Sequence, residues 1–327
     1  MRVLVAGGAG YIGSITSALL AKEGYEVTII DSLIKGYYEA VPDKAKFYKC
    51  DISESKILTE ILHRRKIEAV LHFAAFIEVG ESFKSPEIYF DNNVVKAKTF
   101  LDTLIKEGVN IFVFSSTAAV YGEPERLPII EEHPTLPTNP YGHSKLAFEK
   151  ILESYSIAYG LKYISLRYFN ASGAAFGLGE SHRPETHLIP LTLQVPLGKR
   201  EAINIFGVDY DTFDGTCIRD YIHVQDLAKA HIITLEHLKA SGKSDIFNLG
   251  NGQGFSVREV IKTCEKVVGH PIKTIEAARR PGDPARLIAS SEKIKNVLNW
   301  KSEITDLERI VSDAWQWHST HPDGYAK

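Results

Sequence analysis

Tyr141 and Lys145 stand four apart, directly after Asn139-Pro140. An Asn cap followed by Pro in the first turn predicts a helix start there. Residues four apart on a helix are neighbours, so the phenol and the ammonium share a face. A free tyrosine titrates at about 10 and is a poor base at neutral pH. A nearby ammonium and the helix N-terminus both stabilise its phenolate, which would make Tyr141 a proton acceptor for a hydroxyl. Ser115-Ser116-Thr117 closes the strand-like run that begins at Ile111, and one of these hydroxyls can bridge the proton transfer. Residue chemistry alone does not separate the three. Taken alone, a Tyr-x-x-x-Lys spacing is equally an exposed pair on a surface helix.

A glycine loop near the start gives that pair its weight. Gly7, Gly8, Gly10 and Gly13 follow the apolar run Val3-Leu4-Val5 and lead into a helix read from Ile12 to Lys22. The set fits Gly-x-Gly-x-x-Gly through Gly8, Gly10 and Gly13, or Gly-x-x-Gly-x-x-Gly through Gly7, Gly10 and Gly13. Such a loop lets backbone N–H groups and a helix N-terminus approach the pyrophosphate of a dinucleotide. Asp31 closes the next strand, 18 residues past Gly13. A carboxylate there accepts hydrogen bonds from ribose hydroxyls and repels a 2′-phosphate, which favours NAD over NADP. Lys35 lies close by and softens that preference. Asp51-Ile52 ends a third strand and is placed to contact adenine. Together the two spacings predict hydride chemistry on a bound nicotinamide.

The elements that must position these groups alternate along the first half. Strands are expected at Val3–Ala6, Glu26–Asp31, Lys46–Asp51, Ala69–Ala75, Ile111–Thr117 and Tyr163–Phe169, with helices between most of them. Ser53 is expected to cap a helix running to Arg65, and Ser85-Pro86 to open one ending near Gly108. Buried runs alternating with helices predict an α/β fold, a doubly wound, mostly parallel sheet of Rossmann type. After residue 170 the chain turns rich in Gly, Ala and Ser, then Pro184, Pro190 and Pro196 punctuate it. The predicted division is a dinucleotide-binding domain over 1–170 and a smaller α/β substrate domain over 171–327. A segment near 220–250 is expected to return to the first sheet through the strand Asp245–Gly250.

Composition narrows the partners. At 327 residues with 44% hydrophobic content, the chain supports one large domain and a smaller one. The net charge of −3 is interspersed, which points away from nucleic acid and anionic membrane. No apolar run reaches bilayer length, and Met1-Arg2 leads straight into a strand, so no secretory signal is expected. Cys50, Cys217 and Cys264 are scattered and odd in number, arguing for a reducing, cytoplasmic location and against a disulfide framework or zinc. No metal is expected.

The chain resembles the extended short-chain dehydrogenase/reductase superfamily through Gly7-Gly8-Ala9-Gly10-Tyr11-Ile12-Gly13-Ser14, His72-Phe73-Ala74-Ala75, Asp91-Asn92-Asn93, Ser115 to Gly122 and Tyr141-x-x-x-Lys145. Leu166-Arg167-Tyr168-Phe169-Asn170, Ile205-Phe206-Gly207, Asp214 to Val224, Phe247-Asn248-Leu249-Gly250 and Arg279-Arg280-Pro281-Gly282-Asp283 look like the UDP-glucose 4-epimerase family within it. The similarity runs nearly end to end. It implies that Tyr141 takes the proton of the sugar 4-hydroxyl, with Thr117 in the bridge, while hydride passes from C4 to tightly held NAD. The 4-ketose would turn its other face with its UDP anchored, and hydride would return to give the epimer. Lys145 would bind the nicotinamide ribose and lower the Tyr141 pKa.

The resemblance also implies cofactor contacts from Gly7, Gly10, Tyr11, Ile12, Gly13, Asp31, Ser32, Asp51, Ile52, Phe73, Ala74, Ala75, Asn92 and Phe169. Asn170, Leu188, Phe206, Arg219, Tyr221, Arg280, Asp283 and Leu287 would meet the UDP-sugar, the arginines because guanidinium forks suit a diphosphate. The competing picture for the arginines is surface pairing with Asp220 and Asp283. Ile77 stands where family members often carry a cofactor-contacting lysine. Leu287 stands at the family's sugar-pocket gate and leaves entry of N-acetylated UDP-hexosamines open. Thr117 replaces a common serine and keeps the hydroxyl. Ala118-Ala119 lack the acid/base pair a 4,6-dehydratase needs; a 4-epimerase of UDP-uronates or UDP-pentoses is the nearest alternative. A non-catalytic NAD(H) sensor would not need the UDP-binding half. Relatives pair as homodimers through helices that correspond here to Pro86–Glu107 and Pro140–Tyr159.

Overall fold

Val3, Leu4 and Val5 at the start of the chain show how the core divides. In a strand successive side chains point to opposite faces. Val3 and Val5 accordingly pack with one core cluster and Leu4 and Ala6 with another, all fully buried. A strand buried on both faces needs apolar residues at every position, which is why it reads as a continuous run. The computed structural model describes residues 1–280 and 282–325.

Seven parallel strands form the main sheet: β1 (Arg2–Ala6), β2 (Glu26–Asp31), β3 (Lys46–Lys49), β4 (Ala69–His72), β5 (Ile111–Thr117), β6 (Lys162–Tyr168) and a late strand, Asp245–Leu249. Their spatial order is the late strand, then β6, β5, β4, β1, β2 and β3. On one face α1 (Tyr11–Lys22) and a long helix at Val224–Ser241 bury Ile15, Leu20, Leu227 and Leu235. On the other, α2 (Ser55–Arg65) supplies Leu58 and Leu62. Two short helices, α3 (Val79–Lys84) and α4 (Pro86–Phe90), run through a π-helical turn at Asp91–Lys96 into α5 (Ala97–Lys106), which buries Phe100 and Leu104. Next to it α6 (Pro140–Tyr159) buries Phe148 and Leu152. Truncating Leu4, at 0% exposure between these layers, would cost about 2–5 kcal/mol.

The remainder of the chain forms smaller sheets. A branched one joins β7 (Asn170–Ser172), β9 (Ile218–His223), β11 (Gly254–Ser256) and β13 (Arg286–Leu287); a pair joins β8 (Ile203–Phe206) and β12 (Thr274–Ala277). The helices here are α7 (Leu188–Leu193), α8 (the Val224–Ser241 helix), α9 (Val257–Val268), α10 (Glu292–Leu298) and α11 (Leu307–Thr320), and the late strand of the main sheet is β10. So β9 stays with the smaller sheet, while α8 and β10 return to the first. β10 lies parallel to β6, with Phe247 opposite Leu166.

Several boundaries differ from expectation. β3 stops at Lys49 and β4 at His72, before the loops that carry Asp51 and Ala75; β6 is shifted back by one, to 162–168. Ser53 does not cap α2. Its hydroxyl donates to Asp51 Oδ1 at 2.6 Å, and the helix starts two residues later behind Glu54 with no side-chain cap. Ser85 occupies its cap position but makes no cap bond. Asn139 does cap α6, its Oδ1 accepting from Gly142 N at 2.8 Å. The expected helix from Ser85 to Gly108 is widened by the π turn, which swings Asn92 and Asn93 toward the strand ends. Such turns recur at functional sites.

Candidate active site

The strand order places β1 between β2 and β4, so chain connections leave in opposite directions on either side of β1. Ligands of open α/β sheets gather at that crevice, beyond the carboxyl ends of the strands. A cavity of about 1140 Å³ opens there. That exceeds the roughly 300–1,000 Å³ of one small-ligand pocket, leaving room for two ligands. Every site residue expected from the sequence lines it, from Gly7 at one end to Leu287 at the other.

The glycine loop lies between β1 and α1. Gly7 adopts φ +79, and a Cβ there would sit 2.5 Å from Ala74 N; one on Gly13 would sit 2.2 Å from the Gly7 carbonyl. The loop can therefore press against the β4 loop only without side chains, leaving bare backbone toward the cavity. Gly8 turns the other way, onto Ile29, and is not in the lining. Gly7, Gly10 and Gly13 are thus the glycines of the loop that line the cavity. Gly10, at the N-cap of α1, offers no side chain to the helix's first N–H groups. Those groups have no partner within the helix and suit an anion. Asp31 Oδ2 accepts from Ala9 N at 3.0 Å and Oδ1 from Leu33 N at 2.9 Å. Burial nevertheless raises its pKa against these bonds. The cradle and its fixed carboxylate fit a dinucleotide.

Around it stand Phe73, Ala74 and Ala75 after β4, Ser32 after β2, and Asp51 with Ile52 after β3. Asn92 lies on the π turn, its amide donating to Asn93 Oδ1 at 3.0 Å. Asn93 ties the β4 loop to α6: it accepts from Phe76 N at 2.9 Å and donates to Phe76 O at 3.0 Å and Ser144 Oγ at 3.1 Å. Lys35 is paired with Glu78 at 2.8 Å, beside Ile77.

The three hydroxyls of β5 separate cleanly. Ser115 bonds the Tyr168 hydroxyl, and Ser116 donates to Glu149 on the far side of the strand. Thr117 interacts with the Tyr141 side chain and lowers its pKa, while its Oγ1 accepts from Ala119 N at 3.1 Å. Strand alternation puts Ser116 on the opposite face from its two neighbours. Only Thr117 reaches Tyr141.

Lys145 departs from expectation. Its Nζ donates to the Ser115 carbonyl at 2.8 Å and lies 4.8 Å from the centre of the Phe114 ring. Burial pushes its pKa down to about 7, so near neutral pH it carries its charge only part of the time. Tyr141 is likewise pushed up to about 12 by burial, partly offset by the Thr117 hydrogen bond. Lys145 is not among the groups that move the Tyr141 pKa, which desolvation dominates.

α6, which carries both groups, is held by a buried network. Arg167 on β6 grips Glu149 through Nη2 at 2.6 Å and Nε at 3.0 Å, and donates to the Tyr121 hydroxyl at 3.0 Å. Tyr121 in turn donates to Asn248 Oδ1 at 2.7 Å. No local sequence signal marked these partners, because they converge from distant elements.

The opposite wall holds the arginines. Arg219 Nη2 pairs with Asp283 Oδ1 at 2.6 Å. The Arg280 guanidinium lies 3.9 Å from the centre of the Phe206 ring, with no carboxylate partner among the described residues. Pairing of Arg219 with Asp220 does not occur. Residues 219 and 220 face opposite sides of β9, and Asp220 accepts instead from Asn251, Gly252 and Ala289 N–H groups. Burial raises its pKa to about 6 despite those bonds. Asn170 Nδ2 donates to Asp220 O at 3.1 Å. Tyr221 is buried on β9, Leu188 opens α7, and Leu287 packs against the cluster of Ala118 and Phe169. Tyr168 also lines the cavity. So do Glu180, His182, Glu185 and His187, none of which the sequence reading singled out although they form a Glu-x-His-x-x-Glu-x-His pattern.

Residues 3–250 match the model of the NAD dependent epimerase/dehydratase family. A UDP-glucose 4-epimerase of Halalkalibacterium halodurans is 53% identical over 328 aligned positions, covering 100% of this chain and 98% of the relative. A solved UDP-glucose 4-epimerase superposes with a TM-score of 0.98 at 49% identity, covering all of both chains. The Brucella ovis UDP-glucose 4-epimerase, solved in complex with NAD, superposes at 0.94 with 44% identity over 96% of this chain and 97% of that one.

Proposed function

The chain belongs to the NAD dependent epimerase/dehydratase family, and on that premise we propose that it acts as a UDP-glucose 4-epimerase, interconverting UDP-galactose and UDP-glucose. One observation carries the assignment of roles: a single cavity runs from the Gly7–Gly13 cradle past Thr117, Tyr141 and Lys145 to Arg219 and Arg280. A dinucleotide at one end and a nucleotide sugar at the other would meet at the hydroxyl cluster. Bound NAD supplies a reversible hydride acceptor at sugar C4, so that the oxidation to a 4-keto sugar is undone and no net redox change remains.

The protein's own groups do the rest. Tyr141 takes the proton of the 4-hydroxyl, and Thr117, whose side chain interacts with it, bridges the transfer. Lys145, whose Nζ sits at the Ser115 carbonyl near the end of β5, would hold the ribose of bound NAD and, when protonated, would add positive charge beside Tyr141. Arg280, free of any carboxylate among the described residues, and Arg219 hold the diphosphate. The hexose can then turn its other face while its nucleotide stays fixed. Asn170, Leu188, Phe206, Tyr221, Asp283 and Leu287 complete the sugar-nucleotide wall, and Leu287 sets the space beside the 2-position. The division of labour is 1–170 with the returning segment for NAD and the rest of 171–327 for the UDP-sugar. The reading includes a cytoplasmic homodimer formed through 86–107 and 140–159, where Ile88, Val95 and Ile157 are exposed. No helix among the described residues is long and apolar enough to cross a membrane.

Tyr141→Phe tests the mechanism. It removes the phenolic oxygen and keeps the ring, so turnover of UDP-galactose should fall by about 10²–10⁴-fold with NAD still bound. Full activity in that variant would overturn the assigned roles.

A further inference from the structure

Within eight residues the loop leading into α7 brings together two carboxylates and two imidazoles. His187 Nδ1 lies 2.7 Å from Glu180 Oε1 and 2.9 Å from Glu185 Oε1, and His182 Nδ1 lies 3.0 Å from Glu180 Oε1. One ligand atom from each of the four falls within 4.8 Å of all the others. The carboxylate side chains are only 5% and 7% exposed. Among the described residues neither is paired with a lysine or arginine: Arg183 between them donates to the carbonyls of Asp323 and Tyr325 instead.

Two buried negative charges need compensation. Either the histidines supply it by holding protons, or one dication supplies it with both imidazoles neutral. We infer that Glu180, His182, Glu185 and His187 form a binding site for one divalent transition-metal ion of the zinc type. Two imidazole nitrogens and two carboxylate oxygens make a hard-to-borderline set suited to such an ion. Four protein ligands describe a closed structural site rather than a catalytic one with an open position. Tetrahedral bonds of about 2.0–2.2 Å space the ligand atoms about 3.3–3.6 Å apart, so the three short contacts would open by about 0.3–0.9 Å while a pair as far as 4.8 Å apart would close by as much as about 1.5 Å. The scattered cysteines exclude a thiolate site and leave this one untouched.

The position gives the ion a task. His182 packs edge-on against Tyr11, ring centroids 6.3 Å apart, and Tyr11 follows the glycine loop directly. His187 stands at the N-cap position of α7 without a side-chain cap bond, next to Leu188 on the sugar-nucleotide wall. An ion bridging these residues pins the connecting loop across the cavity between the two ends.

Chelator-stripped protein dialysed against Co²⁺ or Zn²⁺, with metal content read by mass spectrometry, tests this without any activity measurement. One ion per chain is expected, with cobalt showing the strong visible absorption of tetrahedral coordination and yielding to zinc. Losing an outer-shell partner costs about 10–100-fold in metal affinity, so losing a ligand in His182→Gln or Glu185→Gln should cost more than about 100-fold. Circular dichroism checks that each variant is folded. For a variant that is not, paramagnetic broadening by Co²⁺ in the unaltered protein must centre on residues 180–187. No stoichiometric binding, binding undiminished in both folded variants, or broadening centred elsewhere would each overturn the site and leave the proton as the counter-charge. None of these outcomes bears on the epimerase reading.

Discussion

Replacing Thr117 by valine keeps a β-branched side chain of similar shape and removes one hydroxyl. That hydroxyl has two interactions: it accepts from Ala119 N at 3.1 Å, and it lowers the pKa of the neighbouring Tyr141 side chain. The first caps the short turn after β5, and its loss costs about 1 kcal/mol of stability. The second carries the chemistry. A positioned proton relay contributes about 10²–10⁴-fold, which at about 1.36 kcal/mol per tenfold is roughly 2.7–5.4 kcal/mol of barrier. The same interaction offsets the desolvation that pushes Tyr141 up to about 12, so without it the phenol pKa rises further. Because Tyr141 must accept a proton, the rising limb of the kcat profile moves to higher pH. Steady-state turnover of UDP-galactose across pH, beside a urea melt, reads both effects. The expectation is a loss of at least about 100-fold in kcat with only about 1 kcal/mol lost in stability. A kcat within about threefold of the parent, with an unmoved pH profile, would remove Thr117 from the relay.

Gly7→Ala places a Cβ 2.5 Å from Ala74 N at a positive φ; the loop must shift, and the purified variant should retain markedly less NAD by absorbance than the parent. Arg280→Ala removes a guanidinium from the sugar-nucleotide wall. A hydrogen bond to a charged group is worth about 1.5–3 kcal/mol, so KM for UDP-galactose should rise by about 10- to 150-fold with a smaller change in kcat. Stability should fall between pH 7 and pH 5, as followed by chemical denaturation. His72 and His231 are buried and neutral, with burial lowering their pKa values to about 3 and about 4. The unfolded chain takes up these protons below about 6.5 while the native state does not, so each group costs up to about 2 kcal/mol at pH 5. His72→Leu should remove up to about 2 kcal/mol of that fall.

The chemistry was legible because its signals are local. Four-residue spacing on a helix, glycines between a strand and a helix, and a carboxylate at a strand end each declare themselves within a short window. Thr117 could not be separated from its neighbours by residue type, yet strand alternation separates them as soon as β5 is in place. Ser53 fails as a cap because of a competing partner. Asp51, two residues before Ser53, takes its hydroxyl, and no linear pattern ranks that bond above a helix cap. The clamp of Arg167, Glu149, Tyr121 and Asn248 spans more than a hundred residues, so only the assembled sheet reveals it. Asp220 and Asp283 were both weighed as partners for the arginines; only the pairing of Arg219 with Asp283, which arrives from a distant loop, is present. Desolvation was the other blind spot. Spacing predicts that Lys145 lies near Tyr141, but not that burial brings the lysine down to about 7 and the phenol up to about 12.

The most direct test of the central claim is to incubate the purified protein with UDP-galactose, adding no NAD, and follow the sugar anomeric signals by proton NMR. Appearance of UDP-glucose is the predicted result. It would show 4-epimerisation by a protein that carries its own cofactor, and a parallel sample of UDP-N-acetylgalactosamine would show whether Leu287 admits the larger sugar. A spectrum that stays that of UDP-galactose, both as purified and after NAD is added, would contradict the account.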